Sequence, residues 1–259
     1  APKALMTIDF FKYQGTGNDF IVLDQCSQEY NLSNAQKQFL CDRHFGIGSD
    51  GILVLSHSEE ADFKLEFFNP DASVSFCGNG SRCAAKYFLT KHKRQACTFV
   101  GFDGLHRAEL GKHGTVQLDI RVKEEPRNTE FGRFINTGAP HVCKAKNNLS
   151  KAEIVEEAKL IRWNKEFKPT GTNVNFYEEL GEGKVAIRTF EKGVEGETLS
   201  CGTGVTAVAL CVFQDNPEWE RVNIKTEGGH LEVKKDPQEQ GVYWLSGSAV
   251  KIFSGQITV

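Results

Sequence analysis

The chain has 259 residues, 39% hydrophobic and 25% charged, with a formal net charge of −3. That length accommodates two domains of about 100–150 residues each, in a globular composition, and the weak negative charge gives no electrostatic reason to expect nucleic acid. No apolar run approaches the roughly 18 residues of a membrane helix, and no basic-then-apolar leader opens the chain, so a cytoplasmic location is expected. Residues 1–5 precede Met6, the only methionine, and the native chain is expected to begin there.

Short β-like runs dominate the pattern. In chain order they are DFIVLD (19–24), GILVLS (51–56), DFKLEFF (62–68), TVQLDIRV (115–122), NVNFYEE (173–179) and KVAIRTF (184–190). VNIKTEGGHLEVK (222–234) reads as a hairpin around Gly228-Gly229, and GVYWLSG and VKIFSG follow as strands. Two amphipathic helices are predicted behind capping boxes. Ser33 with Gln36 opens NAQKQFLCDRH, which stops at Gly46, and Ser150 with Glu153 opens KAEIVEEAKLIR. Two further helices are apolar on nearly all sides, CAAKYF (83–88) and VTAVALCVF (205–213), which is the character of core helices. The expected fold class is α+β. It has two pseudo-symmetric domains, each a mixed, barrel-like β-sheet wrapped around a central helix, with the active site in the cleft between them.

The pseudo-symmetry rests on a repeat. SFCGNGSRCAAKYF (75–88) places Cys77 directly before Gly-x-Gly at a helix start, and SCGTGVTAVAL (200–210) does the same with Cys201 about half a chain later. Ahead of each lies a polar, Gly-containing turn running into a strand, YQGTGNDFIVLD (13–24) and INTGAPHVCKAK (135–146). Matching order points to duplication. The charged stretch VKEEPRN (122–128) is the expected seam, giving domains 1–124 with Cys77 and 125–259 with Cys201. The last strand, about 250–259, is left free to pack back on the first half.

A helix N-terminus stabilises negative charge through its exposed N–H groups and macrodipole, so a cysteine there becomes a stronger acid. The glycines beside it let a carboxylate approach the same N–H groups. Inverting a carbon centre by proton transfer needs a base on one face and an acid on the other, which two such thiols supply. Cys26, Cys41, Cys97, Cys143 and Cys211 are read as reduced, small buried hydrophobes. No C-x-x-C pair occurs and Cys77 and Cys83 lack histidines at ligand spacing, so no metal is expected. GIGSDG (46–51) fits G-x-G-x-x-G, but it follows a helix and precedes a strand, the wrong order for a dinucleotide site. On spacing alone, Asn18, Asn69 and His141 serve equally well as turn residues, and Asn173 as a backbone-bonding one.

Taken together, GTGNDFIVLD (15–24), DRHFGIGSDG (42–51), FNPDASVSFCGNGSRC (68–83), TGAPHV (137–142), TNVNF (172–176) and FEKGVEGETLSCGTG (190–204) resemble the diaminopimelate epimerase family, in that family's order. The resemblance implies a cofactor-independent epimerase interconverting LL- and meso-2,6-diaminopimelate, on the route to lysine and peptidoglycan. It implies Cys201 as the base toward the LL isomer, Cys77 as the acid, and Glu191 and His141 as polar residues beside the thiols. Gly78, Asn79, Gly202 and Thr203 match backbone positions that hold the reacting carboxylate. Asn18, Asn69, Asn173, Glu191 and Lys192 match substrate contacts. Three positions depart from the pattern: Gly51 stands for the usual Gln, Ala139 for Asn and Lys192 for Arg. A lysine keeps the charge but loses the bidentate fork, and Lys192, Thr172 and Asn175 are the candidates to make up for it. The departures leave a second reading, a related cofactor-independent racemase or epimerase of the proline or hydroxyproline type. A small-molecule amino acid is the partner implied, with a homodimer left open.

Overall fold

The structure, a computed structural model, describes residues 5–259, so residues 1–4 of the segment ahead of Met6 lie outside the described residues. The chain divides into two units, Ala1–Leu118 with Ser248–Val259, and Asp119–Gly247.

The first unit runs β1 (Thr7–Gly15), β2 (Asn18–Asp24), α1 (Asn34–Cys41), β3 (Ile52–Ser56), β4 (Phe63–Phe68), β5 (Val74–Ser75), α2 (Gly78–His92), β6 (Ala96–Gly101) and β7 (Gly104–Leu110), then enters β8 (Val116–Arg121). β1–β2 is antiparallel, β2–β3 parallel, β3–β4 antiparallel, β4–β6 parallel, and β6–β7 and β7–β8 antiparallel. The two-residue β5 lies on β4, and the terminal strand Val250–Thr258 lies antiparallel on β1. Phe20–Leu23 and Ile52–Leu55 are buried without alternation, as parallel strands covered on both faces require. β4 alternates instead, with Phe63, Leu65 and Phe67 inward. α2 is buried from Gly78 to Leu89 apart from Lys86, against β1, β2, β3, β4, β6 and β7.

The second unit repeats this plan with β9 (Arg127–Thr129), β10 (Gly132–Asn136), β11 (Pro140–Ala145), α3 (Val155–Arg162), β12 (Asn173–Gly181), β13 (Lys184–Glu191), β14 (Gly196–Thr198), α4 (Gly202–Asp215), β15 (Arg221–Thr226), β16 (Gly229–Lys235) and β17 (Val242–Gly247). β10–β11 is antiparallel, β11–β12 parallel, β12–β13 antiparallel, β13–β15 parallel, and β15–β16 and β16–β17 antiparallel. β14 lies on β13 and β9 on β10. Pair for pair, this is the succession of the first unit. α4 is buried from Gly202 to Phe213 against β10–β13, β15 and β16. The chain is therefore a sheet-dominated α+β protein in which each unit wraps a mixed sheet around one central helix.

Three local expectations are corrected. α1 has its Ser33–Gln36 capping box but ends at Cys41, well before Gly46. The carboxylate of Asp42 accepts the N–H groups of His44 and Phe45 at 2.7 and 2.8 Å, a local turn that competes with further helix. α3 starts at Val155 rather than behind Ser150, which sits in a short 3-10 turn, Leu149–Lys151. Cys26 is exposed, in the loop after β2, while Cys41, Cys97, Cys143 and Cys211 are buried. Among the described residues no helix is long and apolar enough to cross a membrane.

Candidate active site

Cys77 and Cys201 are the N-caps of α2 and α4, with φ/ψ of −138°/110° and −129°/109°. Both are half-buried, whereas the three residues after each are buried. The first turn of each helix carries no acidic residue to occupy its N–H groups, so each thiol sits where the helix favours an anion.

Around Cys77, the Gly80 N–H donates to Sγ at 3.4 Å and the thiol faces Asn18 Oδ1 at 3.9 Å. Asn18 stands at the start of β2, behind a two-residue turn whose Thr16 and Gly17 have φ of 49° and 84°. Arg82 Nη2 donates to Asn79 Oδ1 at 2.9 Å, Asn79 Nδ2 donates to Asn18 Oδ1 at 3.2 Å, and Asn18 Nδ2 donates to Asp50 Oδ2 at 2.7 Å. A donor-only guanidinium and an acceptor-only carboxylate at the two ends fix both amide orientations between them. Arg43 bonds Asp50 at 2.9 Å and forks onto Asp19 at 3.0 and 2.7 Å, and Lys12 pairs with Asp19 at 2.7 Å. Burial opposes the Asp19 charge, yet Arg43 and Lys12 together hold its carboxyl well below the usual range. Asn69 Nδ2 donates to Ser73 O and Oγ at 3.2 Å and to Ser75 Oγ at 3.0 Å, which shapes the β4–β5 turn leading to Cys77.

Around Cys201, Sγ lies 3.5 Å from Thr203 Oγ1, and that hydroxyl lies 2.8 Å from His141 Nε2. Asn175 Nδ2 donates to His141 Nδ1 at 3.0 Å, so the ring proton resides on Nε2 and is donated to Thr203. The Thr203 hydroxyl is then free to donate toward the sulfur. Thr189 donates to Asn175 Oδ1 at 2.9 Å, and Thr137 donates to the Thr203 carbonyl at 2.7 Å. His141 is fully buried, and burial pushes its pKa down to about 3 against the opposing Asn175 bond. It is a neutral group at ordinary pH, reaching the sulfur through Thr203.

The other expected residues separate by their partners. Asn173 Nδ2 donates to Pro140 O at 2.9 Å and its Oδ1 accepts the Lys192 N–H at 2.8 Å, so the side chain ties the start of β11 to the end of β13. Glu191 accepts from the Thr198 hydroxyl at 2.9 Å. Lys192 is half-buried, and burial together with Arg162 lowers its pKa while Glu195 opposes. Thr172 and Asn175 are both 0% exposed, and their hydroxyl and amide are bonded internally, so neither is placed to replace an arginine fork. Gly51 has a packing reason: a Cβ there would lie 2.2 Å from Phe67 Cε2, the ring occupying the space of a longer residue. Arg82, Asp50 and Thr137 lie inside the motifs that carry the resemblance and Thr189 lies outside them, but none of the four carries a signal of its own, because each is a single polar side chain whose surroundings come from distant parts of the chain. For Asn175 the available signal was its i, i+2 spacing from Asn173, which puts both on one face of β12.

The diaminopimelate epimerase family model matches residues 10–124 and 133–252. A diaminopimelate epimerase from Flavobacterium psychrophilum is 38% identical over 95% of this chain and 99% of its own length, and one from Aquifex aeolicus is 34% identical over 97% and 98%. Among solved structures, a hydroxyproline epimerase from Agrobacterium vitis shares the fold at a TM-score of 0.72 and 16% identity, covering 98% of this chain and 93% of that one. A PhzF-family phenazine biosynthesis protein from Bacillus anthracis does so at 0.72 and 15%, covering 98% and 100%. With a family model spanning nearly its whole length and relatives above 30% identity end to end, the chain belongs to the diaminopimelate epimerase family, which places it among the isomerases.

Proposed function

We propose that the protein interconverts LL- and meso-2,6-diaminopimelate, a step toward lysine and peptidoglycan, by moving a proton at one α-carbon between two thiols. Cys201 takes the proton from the LL isomer: the Cα–H bond breaks and an S–H bond forms. Cys77 gives its proton to the opposite face: its S–H bond breaks and a new Cα–H bond forms with inverted configuration. The electron pair left on carbon in between spreads into the adjacent carboxylate. That carboxylate is taken to bind helix-start N–H groups, for which Gly78, Asn79, Gly202 and Thr203 are the candidates, where added charge is stabilised as it develops. The reading assigns the distal carboxylate to Lys192, with Asn69 as a further contact.

The observation that carries this reading is the repeated N-cap cysteine, in nearly the same backbone conformation, on the buried central helix of each unit. The hydrogen-bond polarity supports the direction. Asn18 Oδ1 can only accept, which suits a protonated Cys77, while the Thr203 hydroxyl donates, which suits a Cys201 thiolate.

The test is α-proton exchange and epimerisation of LL- and meso-diaminopimelate in deuterated water, followed by NMR, for the native chain, Cys77→Ser and Cys201→Ser. Both variants are expected to lose epimerisation, and full turnover by either one overturns the two-thiol scheme. Proline and trans-4-hydroxyproline in the same assay test the substrate. Exchange with these and none with diaminopimelate replaces the reading with the cyclic imino acid one.

A further inference from the structure

Arg82 is the largest fully buried side chain of the described chain. Its Nε and Nη1 have no hydrogen-bond partner among the described residues, and its one bond, from Nη2, goes to Asn79 Oδ1 at 2.9 Å. The guanidinium packs under Gly15, where an added Cβ would come 3.4 Å from Nη2. The titratable groups that face it are Cys83 and Cys77. Burial pulls its pKa down to about 10 against those two thiols, so it remains charged at neutral pH.

An unpaired buried cation opposes folding, and an apolar side chain of similar volume ordinarily serves the fold as well or better. Nor does the architecture demand a cation here. Arg82 is the fifth residue after Cys77, and the fifth residue after Cys201 is Thr206, whose hydroxyl returns to the Gly202 carbonyl at 3.0 Å. α4 packs inside its sheet without a charge at that place. Residues that weaken the fold without a packing benefit are concentrated where function requires them.

We propose that Arg82 is a positioning residue for Cys77. Through Asn79 and Asn18 it fixes the amide oxygen that faces the thiol, and its charge steadies the thiolate that Cys77 becomes after delivering its proton. The first part follows from the one-way run of donors, Arg82 to Asn79 to Asn18 to Asp50. Turning either amide would set donor against donor or acceptor against acceptor. The second follows from placement: Arg82 lies five residues after the Cys77 N-cap, about 7.5 Å along the helix axis, and its charge is fully buried, where solvent screens it little. The proposal rests on the reading of Cys77 as a proton carrier.

The experiment makes Arg82→Met and Arg82→Lys in the full chain. One readout needs no substrate: the rate of iodoacetamide alkylation of Cys77 relative to Cys201 in the same molecule, by peptide mass spectrometry at pH 7. The other is kcat and KM with diaminopimelate, alongside Tm. Arg82→Met is expected to slow Cys77 alkylation about tenfold relative to Cys201 and to lower kcat about 10²-fold with KM changed less, at an unchanged or raised Tm. Arg82→Lys is expected to recover much of the alkylation rate. An unchanged alkylation ratio in Arg82→Met, or a kcat loss that simply follows a fall in Tm, overturns the proposal. If Arg82→Met does not fold, Arg82→Gln takes its place and is judged by the same ratio. A native chain that exchanges no diaminopimelate proton overturns the substrate reading, while the alkylation ratio still decides Arg82.

Discussion

A Cβ placed on Gly204 would lie 2.4 Å from Oδ1 of Asn175. That oxygen cannot retreat, since Thr189 donates to it and the same amide donates to His141 Nδ1 and Val142 O. The turn of α4 behind Cys201 thus rests directly on the polar cluster that orients Thr203. Only a residue without a side chain lets the helix approach that closely.

Gly204→Ala is therefore expected to destabilise the chain by about 1–3 kcal/mol. Gly80→Ala, at the matching place in α2, should be milder, because its 2.8 Å neighbour is Leu53 Cδ2, a side-chain methyl that a rotation can shift without breaking a hydrogen bond. Urea unfolding of the two variants measures the order. Gly80→Ala proving the more damaging would mean that the Asn175 cluster is softer than its bonds indicate.

Thr203 joins the His141 ring to the Cys201 sulfur. Thr203→Val keeps the shape, removes the hydroxyl and leaves the buried His141 Nε2–H unpaired, at an expected stability loss of about 1–3 kcal/mol. Its kcat/KM is expected to fall about 10²-fold, as for loss of one preorganised donor. Thr203→Ser keeps the donor and should stay within about tenfold of the native chain. Steady-state kinetics on both variants check this. Equal activity in Val and Ser removes the hydroxyl from the mechanism.

His141 gives the stability a pH dependence. Its pKa is about 3 in the folded chain, depressed by burial from an ordinary 6.5. Below pH 6.5 the unfolded chain binds this proton and the folded chain does not, so stability falls as pH drops toward 3 and is fully present above 6.5. The histidine contribution lost between pH 6.5 and 5 is about 2 kcal/mol. His141→Gln should lack that part of the slope. Urea midpoints at pH 7, 6 and 5 for both proteins measure it, and parallel slopes would contradict a buried, neutral imidazole.

Asp50 anchors the far end of the amide run at Asn18. Its side chain is 44% exposed and its ion pair with Arg43 is open to solvent, so Asp50→Ala should change stability by only about 0–1 kcal/mol. Freed at that end, Asn18 can turn its amide, and kcat/KM is expected to fall about 10- to 10²-fold. Kinetics and thermal melts on one preparation separate the two effects. An unaltered kcat/KM would show that Arg82 alone holds the orientation.

Features of the chain that depend on near neighbours were legible in the sequence. The capping box of α1 closes within four residues, so Ser33 and Gln36 announced it. The apolar character of 205–213 announced a helix with no solvated face, and the repeat of Cys before Gly-x-Gly announced equivalent backbone at Cys77 and Cys201. Where local signals met distant partners, the distant partners won. Ser150 and Glu153 form a sound start signal, but the N–H groups of Asn148 and Leu149 are taken by Glu178 on β12. Leu149 is only 1% exposed, and this fixes a tight turn and delays α3 to Val155.

The sequence by itself determined the duplication, the class of fold and the two thiols, because periodicity and glycine placement act over a few residues. The tertiary structure alone decided the environment of each thiol. A charged residue on a helix ordinarily takes a solvated face, and nothing in SRCAAKYF says otherwise. Only the sheet closing around α2 makes Arg82 a buried cation, and only the packing of β11 and β12 under α4 makes His141 a neutral donor. Burial is a property of everything that surrounds a side chain, and those surroundings are assembled from strands far apart in the chain.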